Sequence, residues 1–191
     1  MTNLTRYAVF GLFDEQTTCC VRDYQRRLTD RTGNGTVLFF PVHVTIRGRF
    51  LASAPDALGA FRQLGGSITR DLGPIELRGP VFRPPDLTWL QIEPATEGFR
   101  ELGRMHRAAD TVLRPYIVRD EVSPLHAGDS YYPHVTLGWG SSEADVLALF
   151  TPQASVVIVA RLVSLVLMKY PEEWPVKAGL KVVDMQVLSV Q

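Results

Sequence analysis

His43-Val44-Thr45-Ile46 and His134-Val135-Thr136-Leu137 are two nearly identical stretches that lie in different halves of the chain. Each places a histidine and a threonine two residues apart, with aliphatic residues between and after them. Alternate side chains of a β-strand point to opposite faces of the sheet. Each stretch therefore predicts a strand that presents one imidazole and one hydroxyl on one face and its aliphatic side chains on the other.

The residues that follow the first motif extend this alternation. Segment 37–50 is strand-like, and the period of two puts Arg47 and Arg49 on the face of His43 and Thr45. Arg47 is then a candidate to pair with a phosphate oxygen, because a guanidinium matches phosphate geometry.

The second motif has different neighbours. Segment 132–140 is strand-like, and alternation puts Tyr132 on the face of His134, where its ring can stack on a base. Trp139 falls on the aliphatic side and is expected in the core. Gly138 stands where the first copy has Arg47 and leaves room for a ligand to approach the backbone.

The rest of the chain predicts helices and pairs of strands in an order that occurs twice. Asp14 and Thr96 are suited to begin helices as N-caps. The predicted helices are 15–32, 55–71, 97–113 and 143–150, the predicted strands outside the motifs are 7–13, 75–82, 87–93, 155–170 and 180–190, and 115–130 is a long loop. This order indicates an internal duplication and favours an α+β fold.

Composition limits the class of protein. The 191 residues carry no net charge and are 46% hydrophobic, which is ordinary for one globular domain spanning 1–191 and argues against binding of long nucleic acid by backbone electrostatics. The adjacent Cys19 and Cys20 are typical of free thiols in a reducing compartment. No segment has the length and hydropathy of a membrane span or secretory signal, so we expect a cytoplasmic protein. Protein partners are not indicated.

Two histidines and two hydroxyls suit the cleavage of a cyclic phosphodiester. One histidine can remove a proton from the attacking water while the other gives a proton to the leaving ribose oxygen, because the ordinary pKa of histidine lies near 6.5. Each threonine hydroxyl can donate to a phosphate oxygen on which negative charge accumulates. This chemistry needs no metal or other cofactor.

The paired motifs resemble those of the 2H phosphoesterase superfamily. Within it, the early strand Tyr7-Ala8-Val9-Phe10 and the stretch from Tyr132 to Gly138 are most similar to the 2′-5′ RNA ligase-like, or RNA 2′,3′-cyclic phosphodiesterase, branch. The resemblance implies a bilobed α+β fold with pseudo-two-fold, duplicated antiparallel sheets, outer helices and a central cleft. It also implies hydrolysis of 2′,3′-cyclic phosphates at RNA ends or on nucleotides, with ligation as a related activity.

Carried over residue by residue, the resemblance assigns roles to the motif residues. It makes His43 and His134 the acid–base pair and Thr45 and Thr136 the phosphate clamps. Tyr132 and Tyr170 are candidate aromatic platforms for a base, beside Arg47 for phosphate.

Other interpretations of the same residues stay open. Each histidine can be an ordinary polar residue of a strand, or a metal ligand, although no tight ligand spacing such as His-Glu-x-x-His occurs. The same cleft can also hold a nucleotide or RNA terminus without turnover. His106 lies in a predicted helix among charged residues and His126 in the long loop, and exposure explains both better than catalysis does.

Overall fold

A computed structural model describes residues 3–68, 72–121, 130–150, 156–170 and 181–187. It contains four described α-helices, which are α1 Glu15–Thr32, α2 Ala54–Ser67, α3 Glu97–Leu113 and α4 Glu143–Leu149. The described strands are β1 Leu4–Phe13, β2 His43–Ser53, β3 Ile75–Arg83, β4 Leu87–Ile92, β5 Arg119–Asp120, β6 His134–Trp139, β7 Val156–Ala160, β8 Leu162–Lys169 and β9 Lys181–Val187. The predicted α+β class is confirmed.

The helix boundaries follow from capping chemistry. The Asp14 carboxylate accepts from the Thr17 N–H at 2.7 Å at the start of α1. Gly33 ends the same helix with φ 73°, a conformation that glycine adopts without strain, and its N–H donates to the Thr29 carbonyl. Thr96 caps α3 by accepting from the Phe99 N–H. These three capping contacts place both helix starts and the end of α1 where the sequence predicts them.

Two strand predictions need correction. Segment 37–50 is not one strand, because Thr36–Phe39 forms a 3₁₀ turn and β2 begins only at His43. The apolar run 155–170 is two strands separated by Arg161, and they pair in different sheets. The loop prediction for 115–130 is interrupted by β5, and His126 lies outside the described residues.

The strands form two antiparallel sheets. The five-stranded sheet has the order β5-β2-β1-β8-β9, and the four-stranded sheet has the order β6-β4-β3-β7. The two motif strands therefore belong to different sheets, and each pairs with an aromatic-bearing neighbour, β1 or β4.

The buried apolar side chains form two clusters. The larger one combines both sheets with the helices and includes Val9, Val44 and Leu137. The smaller one covers the other face of the five-stranded sheet and contains Ala8, Phe10, Phe40, Val166 and Met168. The alternate residues Val9 and Phe10 of β1 thus serve different clusters, as strand geometry requires.

Candidate active site

The two motif strands come together across the two sheets. β2 contacts β6, and the positive form of His134 acts electrostatically on His43. Trp139, at the end of β6, packs on Phe40 of the smaller cluster with ring centroids 5.8 Å apart. The faces that carry the two histidines therefore meet, and we call this region the inter-sheet site.

Each histidine is held in the same way by its own sheet. Nδ1 of His43 lies 2.8 Å from the Pro41 carbonyl, and Nδ1 of His134 lies 2.9 Å from the Tyr132 carbonyl, two residues before the histidine in both cases. A carbonyl only accepts, so Nδ1 carries the proton and Nε2 holds the lone pair of the neutral ring.

An aromatic residue of the neighbouring strand supports each imidazole. The Phe10 ring stacks on His43 at 3.7 Å between centroids, and the Trp89 ring lies 4.2 Å from His134. Phe10 is the cross-strand partner of Thr45, and Trp89 is the cross-strand partner of Thr136. The pseudo-symmetry of the motifs thus extends to the strands beside them.

Burial determines the protonation state of both rings. Burial lowers the pKa of His43 to about 4; the Pro41 carbonyl opposes this shift, and the charges of His134 and Arg22 add to it. Burial likewise lowers the pKa of His134 to about 4, with a contribution from the charge of Arg83. Both imidazoles are therefore neutral in the unliganded protein at neutral pH.

The two threonines share the face of their histidines. Thr45 pairs with Phe10 and Thr136 with Trp89, so both hydroxyls lie on the side of the inter-sheet site. No hydrogen bond joins either hydroxyl to another residue of the described ranges. Two hydroxyl donors beside two imidazoles are suited to binding one tetrahedral anion.

A β-bulge follows the threonine in both motif strands. The register passes from Phe10–Thr45 to Val9–Arg47 in β2, and from Trp89–Thr136 to Thr88–Gly138 in β6. Ile46 and Leu137 are the extra residues, and both are fully buried. A bulge of this kind moves the residue that follows it to the opposite face of the strand.

The bulges correct two predictions about the position after the motif. Arg47 lies on the face opposite Thr45, where its guanidinium is 3.2 Å from an Asp110 oxygen and 2.6 Å from an Asp120 oxygen. The prediction that Arg47 shares the face of His43 is therefore wrong. Gly138 is also on the inner face, where a Cβ would lie 2.8 Å from a methyl of Leu28, so helix α1 and not a ligand fills that space.

The bulge in β6 also brings one residue to the site that alternation did not predict. Trp139 pairs with Leu87 on the same face as Trp89, so it borders the inter-sheet site and is not a core residue of the aliphatic face. Arg49, by contrast, lies on the face that alternation predicts for it, because a second register shift follows Arg47 in β2. It is exposed, and its guanidinium lies 5.8 Å from the centre of the Tyr170 ring. Only the register of β6 against β4 reveals the position of Trp139, and no local sequence signal indicates it.

The main-chain carbonyls at the bulges are bound by buried side chains. The Tyr131 hydroxyl donates to the Thr45 carbonyl at 2.8 Å, and Nδ1 of His106 donates to the Ile46 carbonyl at 2.8 Å. In the other strand, the Gln25 amide donates to the Thr136 carbonyl at 2.8 Å. These bonds satisfy acceptors at positions where the ladder is interrupted.

The role of His106 differs from its sequence interpretation. The prediction of a solvated helix face is wrong, because His106 is 1% exposed and its ring stacks on Tyr131 at 4.1 Å with planes 2° apart. Burial lowers its pKa and raises the pKa of the Tyr131 phenol. Both side chains stay neutral, and their hydrogen bonds to the Thr45 and Ile46 carbonyls hold the backbone of the first motif in place.

The two predicted tyrosine platforms pack on aromatic residues that support different motif histidines. Tyr170 is next to Phe10 and Phe40, with ring centroids 6.2 and 6.1 Å away. The Tyr132 ring is 5.9 Å from Trp89, and its hydroxyl donates to Gln91 at 3.3 Å. The proposed contact of either ring with substrate stays a prediction.

Other chemical groups are arranged as follows. Arg22 donates to the Phe40 carbonyl at 2.7 Å, which holds a guanidinium near His43. Cys19 and Cys20 are both free and exposed. Within the described ranges, no three His, Cys, Asp or Glu side chains are grouped so that they can hold a metal ion. None of the helices described is both long and apolar enough to span a bilayer.

Comparison with solved structures identifies the fold. The chain is similar to E. coli LigT in complex with 3′-AMP, with a TM-score of 0.58 and 15% identity over 98% of this chain and 100% of that chain. It is also similar to TT0787 of Thermus thermophilus, with a TM-score of 0.54 and 16% identity over 96% and 97% of the two chains. A structure described as a phosphoesterase matches with a TM-score of 0.51 and 14% identity over 97% and 99%.

These likenesses, together with two antiparallel sheets and their helices, show a 2H phosphoesterase-like fold. The fold is that of LigT-type proteins. No protein-family model matches the sequence, and no curated protein sequence matches it either.

Proposed function

We propose that this protein is a metal-independent phosphodiesterase that hydrolyses 2′,3′-cyclic phosphates of RNA ends or nucleotides. The observation that carries the proposal is the matched pair of motifs, in which each imidazole is fixed through Nδ1 and accompanied by a threonine hydroxyl. A site that only binds a nucleotide does not need two groups that exchange protons.

The reaction uses the two histidines in opposite protonation states. Nε2 of the neutral histidine removes a proton from water as its oxygen attacks phosphorus. The protonated histidine gives its proton to the ribose oxygen as the bond from that oxygen to phosphorus breaks. The product is a single molecule that carries a phosphate monoester on one ribose oxygen and a free hydroxyl at the neighbouring position. The histidines return to their starting states by proton exchange with solvent.

The threonines and the bound anion complete this mechanism. The hydroxyls of Thr45 and Thr136 donate to the non-bridging oxygens, on which negative charge increases in the transition state. The negative phosphate also stabilises the imidazolium, so substrate binding supplies the protonated histidine that burial disfavours in the free protein.

Structures of E. coli LigT support the choice of substrate class. They contain 3′-AMP, ATP, NADP+ or phosphate, so a protein with this fold binds nucleotides and inorganic phosphate. A nucleoside 3′-phosphate is one of the two products that opening of a 2′,3′-cyclic phosphate can give.

Substitution of each motif histidine by asparagine tests the proposal. Asparagine retains a donor near the position of Nδ1 but removes Nε2, so His43→Asn and His134→Asn should each lower kcat by about 10² to 10⁴ on a 2′,3′-cyclic nucleotide. Turnover is measured with a chelator present, and circular dichroism verifies the fold. His126→Asn, at a histidine that the sequence assigns to an exposed loop, is the matched control.

Two outcomes would contradict the proposal. Near-normal turnover in either motif variant excludes the paired-histidine mechanism. Tight nucleotide binding by the wild-type protein, with no product after hours, identifies a binding module in place of an enzyme.

A further inference from the structure

A cavity lies beside the second motif. Its volume is about 430 Å³, which is within the range of small-ligand sites. Its lining consists of Arg83, Pro84, Pro85, Asp86, Leu87, Trp89 and Trp139. We call it the hairpin cavity, because most of these residues belong to the β3–β4 hairpin.

The hairpin cavity and the inter-sheet site share one residue, Trp89. Trp89 lines the cavity and also lies 4.2 Å from the His134 ring. The charge of Arg83, another lining residue, acts on His134. A group that occupies the cavity therefore contacts a ring that also packs on His134.

The walls of the cavity offer flat surfaces of the kind that bind a nucleobase. Trp139 is half-buried and reaches the cavity because the bulge in β6 rotates it onto the motif face. The Arg83 guanidinium lies over the Trp89 ring, 5.2 Å from its centroid. Aromatic rings and guanidinium planes are the surfaces on which single-stranded bases stack.

Two exposed charged residues that line the cavity, Arg83 and Asp86, supply one guanidinium and one carboxylate, which we call its polar edge. The Asp86 main-chain carbonyl accepts from Ser141, but no residue in the described parts of the chain bonds to the Asp86 carboxylate. Two carboxylate oxygens accept a pair of parallel N–H bonds, and Arg83 supplies donors.

Among the four bases, only guanine complements this edge. Its N1–H and N2–H₂ are adjacent donors that match a carboxylate, and its O6 and N7 accept from an arginine. Adenine, cytosine and uracil each direct at least one acceptor at a position where the carboxylate needs a donor. A mismatch of this kind leaves a polar group unpaired and is rejected strongly.

We propose that the hairpin cavity is a base-recognition site that selects guanine in the nucleotide that carries the cyclic phosphate, with Trp139 as the stacking surface and Asp86 as the reader of the base edge. This inference rests on the proposed phosphodiesterase function. It makes the protein an enzyme for RNA ends that terminate in guanosine.

The test compares the four nucleoside 2′,3′-cyclic phosphates. The wild-type protein should hydrolyse the guanosine substrate with a kcat/KM at least tenfold above the other three. Asp86→Asn, which replaces one acceptor with a donor, should lower kcat/KM for the guanosine substrate about tenfold more than for the adenosine substrate. Asp30→Asn, at an exposed position of α1, is the matched control and should keep the guanosine preference.

The stacking role has its own readout. Trp139→Ala should lower kcat/KM by about tenfold or more for all four substrates without changing their order, since stacking tolerates any base. Equal kcat/KM values for the four bases in the wild-type protein, or an unchanged preference in Asp86→Asn, would overturn the inference.

Equilibrium binding separates this inference from the proposed function. The nucleoside 3′-monophosphates of the four bases are titrated by calorimetry, and guanosine 3′-monophosphate should bind at least tenfold more tightly than the others, except in Asp86→Asn. Guanine preference in binding without any turnover refutes the phosphodiesterase and supports the cavity. Turnover with no base preference in either assay refutes the cavity alone.

Discussion

The motif strands β2 and β6 begin alike and then diverge at the residue after the bulge. Both bulges rotate this residue away from the inter-sheet site and toward the protein interior. In β2 the residue is Arg47, whose buried guanidinium pairs with Asp110 and Asp120, and in β6 it is Gly138, against which α1 packs. In both strands, the residues up to the threonine therefore face the inter-sheet site, whereas the residue after the bulge packs in the protein interior.

Removal of the two threonine hydroxyls tests whether the two motifs contribute equally to catalysis. After the loss expected for the histidine variants, this is the largest effect that we expect. Thr45→Val and Thr136→Val preserve shape and strand propensity but delete the donor. We expect each to lower kcat by about 10² to 10³, the usual cost of losing one donor to a developing oxyanion. Steady-state kinetics on a cyclic nucleotide measures this loss.

The control for the threonine variants is Thr111→Val, at an exposed position of α3. Its kcat should equal that of the wild-type protein. A full loss in one motif variant with no loss in the other would show that a single hydroxyl contacts the phosphate and that the two strands are not functionally equivalent.

Arg47→Met tests the divergent residue. The Arg47 side chain is 3% exposed and Asp110 is 16% exposed, so the substitution removes one of the two described ion partners of a largely buried carboxylate and leaves Arg114. We expect the free energy of unfolding to fall by about 3 kcal/mol, near the lower end of the range for breaking a buried pair. Denaturant unfolding monitored by tryptophan fluorescence measures this change.

Arg49→Met is the matched comparison on the same strand. Arg49 is exposed beside Tyr170, so its loss should raise KM and leave stability within about 0.5 kcal/mol of wild type. The reverse pattern, with a higher KM for Arg47→Met and unchanged stability, would restore the interpretation of Arg47 as a phosphate ligand.

The pH dependence of the reaction tests how burial affects the protonation of the two histidines. We expect the rate to change gradually with pH. In the free protein, the pKa values near 4 leave both rings neutral above that pH. The fraction with one protonated ring therefore falls as pH rises, and kcat/KM, which reports the free enzyme, should peak on the acid side and decline through neutrality. The kcat profile should peak at higher pH, because bound phosphate raises the pKa of the acid.

The free energy of unfolding should rise with pH over the range in which kcat/KM falls. A histidine with a lowered pKa in the folded state binds fewer protons than in the unfolded state, so stability is lost as pH falls from about 6.5 toward 4. Thermal unfolding across this range provides the check. Coincident optima for kcat and kcat/KM near neutrality would show that burial does not govern the protonation of these rings.

Local patterns were sufficient to predict the motif face and the helix ends. Alternation put His43 with Thr45 and His134 with Thr136, and the side chain of Asp14 determined the start of α1, since each depends only on residues a few positions apart. The order of the predicted helices and strands also indicated the α+β class, which the fold confirms.

The sequence could not predict features that depend on a partner strand. The bulges are defined by register against β1 and β4, so Arg47 and Trp139 were assigned to the wrong faces. Arg161 divides one apolar run between two sheets, a choice set by which edge each half meets. His106 has charged neighbours along its helix, but its burial depends on Tyr131, which is distant in sequence.

The hydrogen bonds at the bulges have a consequence for how the molecule can be divided. Gln25, from the first half of the chain, holds the Thr136 backbone, while Tyr131, from the second half, holds the Thr45 backbone. The support is reciprocal, so a half-length fragment lacks the side chain that shapes its own motif. If the polypeptide is split between its halves, each half lacks the motif histidine of the other half. Each half also lacks the hydrogen bond that holds the backbone of its own motif threonine.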